Sequence, residues 1–417
     1  MMRVSYRWKA LGILWVSYFL LQGTRQIYGA TLPQIKADLG ASDLEMGLVA
    51  SSFFMAYAAM VPFGGFIADL FRRKWVIVAG AALFSAGVFS ASFAHSLAVM
   101  LFTYGILNGA GQSMVPVAST SVIQQLHSDS RATALSLYQI ALYAGVILCS
   151  VASGYLGSLG PGGWRGAFLV FGGLSLMWVA VLVTGLKDIP PASDDCGSGA
   201  RPSVAASLKA ALAAMFSKPS AVLMTVAFGL SNFGGIGFRT WMPTYLQRTF
   251  DSLTPASAAF HAVFWFYAGG FAGLLAASRI SDRWKRRGNI GARLDCGLIG
   301  LVLAAPAVVL VANSPGSLWV TAAGLLAYGF INAFYDANFI ASFYEVITPR
   351  YRTSAYGIFA CGAFVMGSFA PAVLGFIGGR FSFSTAMSML GVFYLAGAAA
   401  ILIARVRFLK RDYADGS

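Results

Sequence analysis

The stretches GGFIADLFRRK (64–74) and ASRISDRWKRR (277–287) decide the fold of this 417-residue chain. Each stretch follows a long apolar segment and places an aspartate, Asp69 or Asp282, ahead of a basic cluster. The two aspartates lie 213 residues apart, which is about half the chain. Self-similarity at this period indicates that the chain consists of two related halves.

Composition places most of the chain in a lipid bilayer. Hydrophobic residues make up 58% of the sequence and charged residues 11%, whereas a soluble domain has about 25% charged residues. Apolar segments of about 20 residues or more, the length that a membrane helix needs, recur from end to end. We predict twelve of them, numbered in chain order: 9–33, 44–69, 75–93, 98–124, 131–156, 164–186, 219–246, 256–280, 292–312, 317–343, 351–376 and 383–406. The first lacks a small-residue cleavage site, which favours a membrane span over a signal peptide.

The basic residues predict the orientation in the membrane. With both termini placed in the cytoplasm, 23 of the 29 Lys and Arg residues lie on the cytoplasmic side and 4 in the outer loops. This bias is typical of a multi-pass protein of the cell (inner) membrane with both termini in the cytoplasm. It also explains the net charge of +14 without a nucleic-acid partner. The two remaining arginines, Arg25 and Arg239, fall inside predicted helices.

No motif in the sequence indicates an enzyme. The four cysteines and three histidines are scattered, with no CxxC pair. The sequence contains no glycine-rich phosphate loop, no GxSxG elbow and no HExxH motif. We therefore predict no catalytic residues, no metal site and no cofactor.

A polar segment rich in Pro, Gly and Ser, DIPPASDDCGSGARPS (188–203), separates the sixth and seventh apolar segments. It is typical of a flexible linker. We predict an N-terminal six-helix bundle over 1–187, a cytoplasmic linker over 188–218 and a C-terminal six-helix bundle over 219–417.

Two further landmarks repeat in the same order. An arginine followed by a proline occurs in the first segment (25–33) and in the seventh (239–243). The fifth segment opens RATALSLY (131–138) and the eleventh opens RTSAYGIF (352–359). Repeats of this kind commonly form a binding site at their interface near the middle of the membrane.

These residues resemble the major facilitator superfamily. The stretch 65–74 is similar to its signature loop, with Leu70 in place of a basic residue and Arg72 in place of a glycine, and GGWRGAFLVFGGL (162–174) is similar to its entry into the sixth helix. The resemblance implies an all-α membrane protein of twelve transmembrane helices in two pseudo-symmetric bundles. It also implies a central cavity lined by helices 1, 4, 7 and 10.

The resemblance further implies that the two basic loops act as a conformational latch. The latch residues would be Asp69 and Arg73 in the first loop and Asp282 and Arg283 in the second. The alternative is a solvated loop that only orients the protein.

Ionisable residues in mid-membrane normally face a cavity or a partner. Arg25, Arg239 and Asp336 are in this position, and Glu345 lies near the cytoplasmic end of the tenth helix. Two arginines in related helices could clamp an anion, because a guanidinium donates bidentately to a carboxylate or phosphate. The alternatives are that an arginine extends to the outer interface or is permanently paired.

Asp336 and Glu345 are candidates for proton coupling. A substrate anion that draws an arginine away from Asp336 would favour protonation of the aspartate. The alternatives are a static buried pair for Asp336 and simple solvation for Glu345. Further candidate substrate contacts, which could equally serve helix packing, are Tyr28, Gln112, Asn232 and Asn338.

Two groups within the superfamily are nearest in motif. Arg25, eight residues before Pro33, and SDRWKRRGNIGAR (281–293) resemble the organophosphate:phosphate antiporters. The anion:cation symporters, which carry sugar acids and other carboxylates, also have an arginine in the first helix.

We therefore predict a monomeric secondary active transporter that moves a small organic anion by alternating access. The substrate would be a carboxylate such as a sugar acid, or a sugar phosphate, carried by symport with H+. The alternatives are an organic phosphate or anion antiporter and a lysolipid or drug carrier of the same fold. The last is suggested by EVITPRYRTSAYG (345–357), which resembles lysolipid-carrier relatives.

Overall fold

A computed structural model describes residues 6–70, 72–160, 162–188, 204–314, 316–348 and 352–414. Over these residues the regular structure is helical. The helices are α1 (Tyr6–Leu39), α2 (Asp43–Leu70), α3 (Arg73–Ala91), α4 (Leu97–Met100, the π-helical Leu101–Leu107 and Asn108–Leu126), α5 (Arg131–Gly157), α6 (Gly163–Gly185), α7 (Pro219–Thr249), α8 (Pro255–Arg286), α9 (Ala292–Ala312), α10 (Leu318–Val346), α11 (Arg352–Ser368 and Ala370–Arg380) and α12 (Phe383–Ile403, the π-helical Ala404–Phe408 and Leu409–Ala414).

The twelve predicted segments correspond to α1–α12. One additional helix, Val204–Phe216, lies inside the predicted linker. Helix α11 is divided after Ser368, and Pro371 lies in the first turn of its second part. Proline has no N–H to donate, so the break falls where a continuous helix would lose a hydrogen bond.

Ten helices in the described part of the chain are long and apolar enough to cross a membrane. Helices α1 and α4 are not among the ten. Both carry polar residues near their middle, Thr24 and Arg25 in α1 and Asn108 and Gln112 in α4. The two least apolar helices of the N-terminal half are thus the ones that carry candidate site residues.

Local sequence explains where several helices begin. Ser42 and Glu45 form a capping box at the start of α2, with Glu45 Oε2 accepting from Ser42 N at 2.7 Å and Ser42 Oγ accepting from Glu45 N at 3.2 Å. Helix α7 is capped from a distance, because Asp412 Oδ2 accepts from Ser220 N at 3.0 Å and from Ser220 Oγ at 2.7 Å. A carboxylate at this end of a helix also complements the helix dipole.

The chain separates into two compact units. One comprises Met1–Ala200 together with Asp251–Phe260, and the other comprises Arg201–Phe250 together with His261–Ser417.

The same helix pairs pack within each unit, which confirms the predicted internal repeat. In the first unit α1 packs against α5 and α6, and α3 packs against α4 and α6. In the second unit α7 packs against α11 and α12, and α9 packs against α10 and α12.

Backbone contact between matching helices adds to this correspondence. In the first unit, a Cβ at Gly109 of α4 would lie 2.4 Å from the carbonyl oxygen of Phe53 in α2. In the second unit, a Cβ at Gly269 of α8 would lie 2.0 Å from the carbonyl oxygen of Leu326 in α10. Only glycine permits helices to approach this closely, as is common in membrane bundles.

Candidate functional site

Arg25 of α1 is oriented by a buried amide of α4. Its Nε donates to Gln112 Oε1 at 3.1 Å. Gln112 is fully buried, and its Nε2 donates to Asn108 Oδ1 at 2.9 Å and to Thr24 Oγ1 at 3.3 Å. Both ends of the Gln112 amide form hydrogen bonds, so the amide has one orientation. The Arg25 Nε–H, which donates to the amide oxygen, is oriented with it.

Two aromatic rings of α2 also contact the guanidinium. Arg25 Cζ lies 5.2 Å from the ring centroid of Phe53 and 5.1 Å from that of Tyr57. These distances are within the range of cation–π attraction. Phe53 and Tyr57 were not predicted as contacts of Arg25, because a contact between α2 and α1 leaves no periodic signal in the sequence of either helix.

Arg25 keeps donors for a ligand. Its side chain is half-buried, and in the described ranges no carboxylate lies within 4.0 Å of it and neither Nη atom has a hydrogen-bond acceptor. An arginine inside a membrane helix normally faces a cavity or a partner. The two Nη groups can therefore receive a carboxylate, sulfonate or phosphate in the bidentate geometry that guanidinium favours.

Tyr28, a predicted substrate contact, lies in the packing beside Arg25. It is 2% exposed, and its hydroxyl donates to the backbone oxygen of Met46. Its ring stacks on that of Tyr104 with centroids 4.8 Å apart, and the Tyr104 hydroxyl donates to the Arg25 backbone oxygen at 3.2 Å. Tyr28 thus supports the backbone of Arg25 through Tyr104.

The second unit contains its own polar cavity, with a volume of about 60 Å³, between α7 and α10. Two predicted charges, Arg239 and Asp336, both line it. The other lining residues are Phe228, Ser231, Asn232, Gly235, Asn332 and Tyr335. The structure therefore brings together three residues that the sequence analysis selected separately: Arg239, Asp336 and Asn232.

The Arg239 side chain runs back along its own helix. A Cβ at Gly235, one turn earlier, would lie 3.1 Å from Arg239 Nη1. The guanidinium therefore points toward the start of α7 and away from Pro243. If the start of α7 lies on the cytoplasmic side, as the charge distribution predicts, this is the opposite of the direction required by the alternative in which Arg239 extends to the outer interface.

Asp336 is held by hydrogen bonding and not by direct ion pairing. Asn332 Nδ2, one turn away on α10, donates to Asp336 Oδ2 at 3.0 Å. Asp336 shares the cavity with Arg239. Among the residues that the structure describes, no ion pair within 4.0 Å joins Asp336 to a cation. A permanent Asp336–Arg239 pair is therefore not present here.

A buried tyrosine pair, which the sequence analysis missed, lies behind this cavity. The hydroxyl groups of Tyr328 (α10) and Tyr394 (α12) are hydrogen-bonded to each other. A Cβ at Gly234 would lie 2.5 Å from Tyr394 Cζ, so a glycine admits the ring. Since the pairing joins two helices, only the tertiary structure reveals it.

The two predicted asparagines differ in placement. Each donates its side-chain N–H to the carbonyl four residues earlier, Asn232 to Phe228 O at 3.0 Å and Asn338 to Phe334 O at 2.9 Å. Asn232 lines the cavity. Asn338 is 2% exposed and does not line it.

Glu345 lies in a separate charged cluster at the end of α10. It pairs with Lys285 of α8 and with Arg293 Nη1 of α9 at 2.8 Å. Arg293 Nη2 in turn lies 3.8 Å from Asp282 Oδ1. The structure thus connects one predicted coupling residue, Glu345, with one predicted latch residue, Asp282, through Arg293.

The remaining latch residues are placed as follows. Arg73 is 8% exposed, and its Nη1 donates to Gln125 Oε1 of α4 at 2.6 Å. Arg283 is exposed at the end of α8. The Asp69 side chain falls outside the described residues, so the latch stays a prediction.

Comparisons with known proteins agree on the family. A family model described as Major Facilitator Superfamily matches residues 14–291, more than half of the chain. The probable sulfoacetate transporter SauU of Cupriavidus necator is 27% identical over 394 residues, covering 90% of this chain and 88% of that protein. The probable anion transporter 2, chloroplastic, of Oryza sativa subsp. japonica is 24% identical, covering 84% of this chain and 67% of that protein. Protein spinster homolog 1 of Xenopus tropicalis is 26% identical, covering 74% of this chain and 60% of that protein.

Solved structures show the same fold. A bacterial homologue of the human lysosomal transporter Spinster, in an inward-facing and occupied conformation, superposes with a TM-score of 0.82 at 17% identity and covers 98% of both chains. The nucleoside transporter NupG superposes with a TM-score of 0.73 at 16% identity and covers 96% of this chain and 99% of its own. With the family match and the helical repeat, these likenesses establish that the chain belongs to the Major Facilitator Superfamily of membrane transporters.

Proposed function

We propose that this protein is a secondary active transporter of small organic anions. In this proposal Arg25 and Arg239 bind the anionic groups of the substrate, and Asp336 couples transport to protons. The protein would act as a monomer in the inner cell membrane, by alternating access, with both termini in the cytoplasm.

The observation that carries the proposal is the state of Arg25. Its Nε is held by Gln112 at 3.1 Å, two aromatic rings contact it, and its Nη groups lack an acceptor among the described residues. Holding a charge inside a membrane helix costs about 2.5–3.5 kcal/mol on insertion scales. A structural arginine normally offsets this cost with partners for its donors. Among the described residues Arg25 has Gln112 and two aromatic rings but no acceptor for its Nη groups, which favours an anionic ligand.

The relatives favour the same substrate class. Two of the relatives are described as a probable sulfoacetate transporter and a probable anion transporter. Sulfoacetate carries a sulfonate and a carboxylate, both oxyanions of the kind that a guanidinium binds. We therefore propose small dianions as the preferred substrates, with sugar acids and sugar phosphates as further candidates.

The geometry around Asp336 supports the coupling proposal. Asp336 and Arg239 share a cavity without a direct ion pair. A substrate oxyanion that binds Arg239 reduces the positive potential at the carboxylate, which favours proton uptake by Asp336. Release of the substrate restores this potential and favours release of the proton. Substrate and proton would then move in the same direction.

Uptake into proteoliposomes tests the function. The substrates are sulfoacetate, a dicarboxylate, a sugar acid and a sugar phosphate, with an uncharged nucleoside for comparison. We expect saturable uptake of at least one anion, lost in Arg25→Gln and kept in Arg380→Gln, which removes the same charge from an exposed position. Anion uptake that is absent, or equal in the two variants, would overturn the proposal.

Exchange between substrates separates symport from the antiport alternative. Symport predicts that a proton gradient alone drives accumulation into empty liposomes. Uptake that is independent of pH and requires an anion inside the liposome would instead establish an antiporter.

A further inference from the structure

A pocket that does not include Arg239 opens at the arginine-rich end of α8. It has a volume of about 440 Å³ and is formed by the end of α8, the turn that follows and the first turns of α9. Its lining residues are Trp284, Arg287, Asn289, Asp295, Leu298 and Ile299. All of them belong to the second unit.

The pocket is continuous with an exposed apolar stripe along α9. Ile299 lines the pocket and is 39% exposed, and the stripe continues through residues that are at least 38% exposed: Val302, Leu303, Val309 and Leu310. Their spacing of three, four and seven residues places them on one face of the helix. In a membrane protein such a face contacts lipid acyl chains, so the pocket opens where an acyl chain meets the bilayer surface.

The acidic residue of the pocket is already neutralised. Arg405 of α12 donates to both Asp295 oxygens, from Nε at 2.8 Å and from Nη2 at 3.2 Å. Asn289 Nδ2 also donates to Asp295 Oδ2 at 2.8 Å. Asp295 therefore contributes little negative charge to the pocket.

Two donors remain for a ligand. Arg287 is exposed, and in the described part of the chain no carboxylate lies within 4.0 Å of it. The indole N–H of Trp284 likewise has no hydrogen-bond acceptor among these residues. Within the described part of the chain, the pocket thus combines a cation and an N–H donor that lack partners with an apolar wall that leads to the lipid-facing stripe.

We propose that this pocket binds an anionic phospholipid of the adjacent leaflet. The phosphate accepts hydrogen bonds from the Arg287 guanidinium and from the Trp284 N–H. One acyl chain lies along Leu298, Ile299 and the exposed stripe of α9. A soluble phosphate would satisfy the two donors but leave the apolar wall exposed. The geometry therefore favours a lipid over a free anion.

Lipid binding to the purified full-length protein tests this proposal. Phosphatidylglycerol and phosphatidylcholine of the same chain length are titrated separately, and adducts are counted by native mass spectrometry. We expect phosphatidylglycerol to bind about fivefold more tightly, the factor that one basic residue provides at an anionic membrane surface. We expect Arg287→Gln to abolish this preference and Arg286→Gln, a neighbour that does not line the pocket, to keep it.

Two further experiments distinguish binding of a whole lipid from binding of a soluble phosphate. Inorganic phosphate and glycerol phosphate should fail to displace phosphatidylglycerol, and Ile299→Asn should weaken the binding of both lipids. The proposal is overturned if the two arginine variants behave alike, if phosphatidylglycerol has no advantage over phosphatidylcholine, or if glycerol phosphate displaces the lipid. Unchanged elution and melting temperature of Arg287→Gln would exclude misfolding as the cause of a loss.

Discussion

Arg25 is the residue on which the functional account depends. Its charge was identifiable from sequence, because it was one of two basic residues that no loop could accommodate. Its orientation was not, since this depends on Gln112 from a helix 87 positions away in sequence. The aromatic contacts of Phe53 and Tyr57 were equally inaccessible. Residue type thus predicted the chemistry, whereas the geometry required the packing of α1, α2 and α4.

The bond between Gln112 and Arg25 leads to a prediction. Gln112→Glu places a carboxylate where Oε1 accepts from Nε at 3.1 Å, so the arginine becomes neutralised. We expect the affinity for the anion to fall at least about tenfold, which corresponds to a loss of about 1.4 kcal/mol of binding free energy. We expect the variant to fold. Equilibrium binding of a transported anion would measure this loss.

Gln125→Glu is the matched control for this prediction. Gln125 lies on the same helix and accepts from another arginine, Arg73, at 2.6 Å. An equal loss of affinity in both variants would contradict a specific role for the Gln112–Arg25 bond.

Asp336 leads to a second prediction at the residue scale. Asp336→Asn keeps an acceptor for Asn332 but cannot take up a proton. We expect accumulation driven by a proton gradient to fall at least about tenfold, while exchange of substrate across the membrane continues. Parallel measurements of gradient-driven uptake and exchange in the same proteoliposomes distinguish the two. Unchanged gradient-driven uptake would show that Asp336 does not couple protons.

At the scale of elements, hydropathy and length located α1–α12, ten of which are long and apolar enough to cross a membrane over the described residues. The helix Val204–Phe216 was not predicted, because the polar residues before it dominate that interval. The π-helical stretch Leu101–Leu107 immediately before Asn108 was not predicted either. Such stretches change helical register and often lie near functional sites, and periodicity alone does not reveal them.

An ion pair at the end of α1 leads to a pH-dependent prediction. Asp38, beyond the predicted membrane segment 9–33, pairs with Arg165, and the hydrogen bond from Arg165 holds the pKa of the Asp38 carboxyl below its usual range. Because this pKa is lower in the folded state than in the unfolded state, where it is near 3.9, the ion pair stabilises the fold at pH values above 3.9. The stabilisation is lost as the pH falls through the pKa of the folded state. We expect Asp38→Asn to destabilise by about 1 kcal/mol at pH 7 and by progressively less below about pH 4.

Thermal unfolding of the purified protein across this pH range measures the effect. Asp251→Asn, which removes an exposed carboxylate, should leave stability nearly unchanged. A difference between wild type and Asp38→Asn that does not change with pH would argue against an electrostatic origin.

At the scale of the whole molecule, the repeat was the most reliable information in the sequence. The landmarks at 64–74 and 277–287 predicted two halves, and the matching helix pairs in the two units confirm them. The repeat also explains why Arg25 and Arg239 occupy related helices. It did not predict their surroundings, which differ: Gln112 and aromatic rings contact Arg25, whereas Asn232 and Asp336 share a cavity with Arg239.

The charge distribution predicts the topology of the whole chain. With 23 basic residues on one side and 4 on the other, both termini should lie in the cytoplasm. A fluorescent protein fused to the C-terminus should fluoresce, and alkaline phosphatase fused at the same point should be inactive. Active phosphatase at the C-terminus would contradict this orientation.

The most direct test of the central claim is ligand-dependent stabilisation of wild type and Arg25→Gln. A ligand present at 100 times its Kd stabilises the folded state by about 2.7 kcal/mol, which is measurable as a higher melting temperature. The account predicts that a small organic anion such as sulfoacetate raises the melting temperature of wild type and of Arg380→Gln, but not that of Arg25→Gln. Equal stabilisation of Arg25→Gln and wild type by the same anion would contradict it.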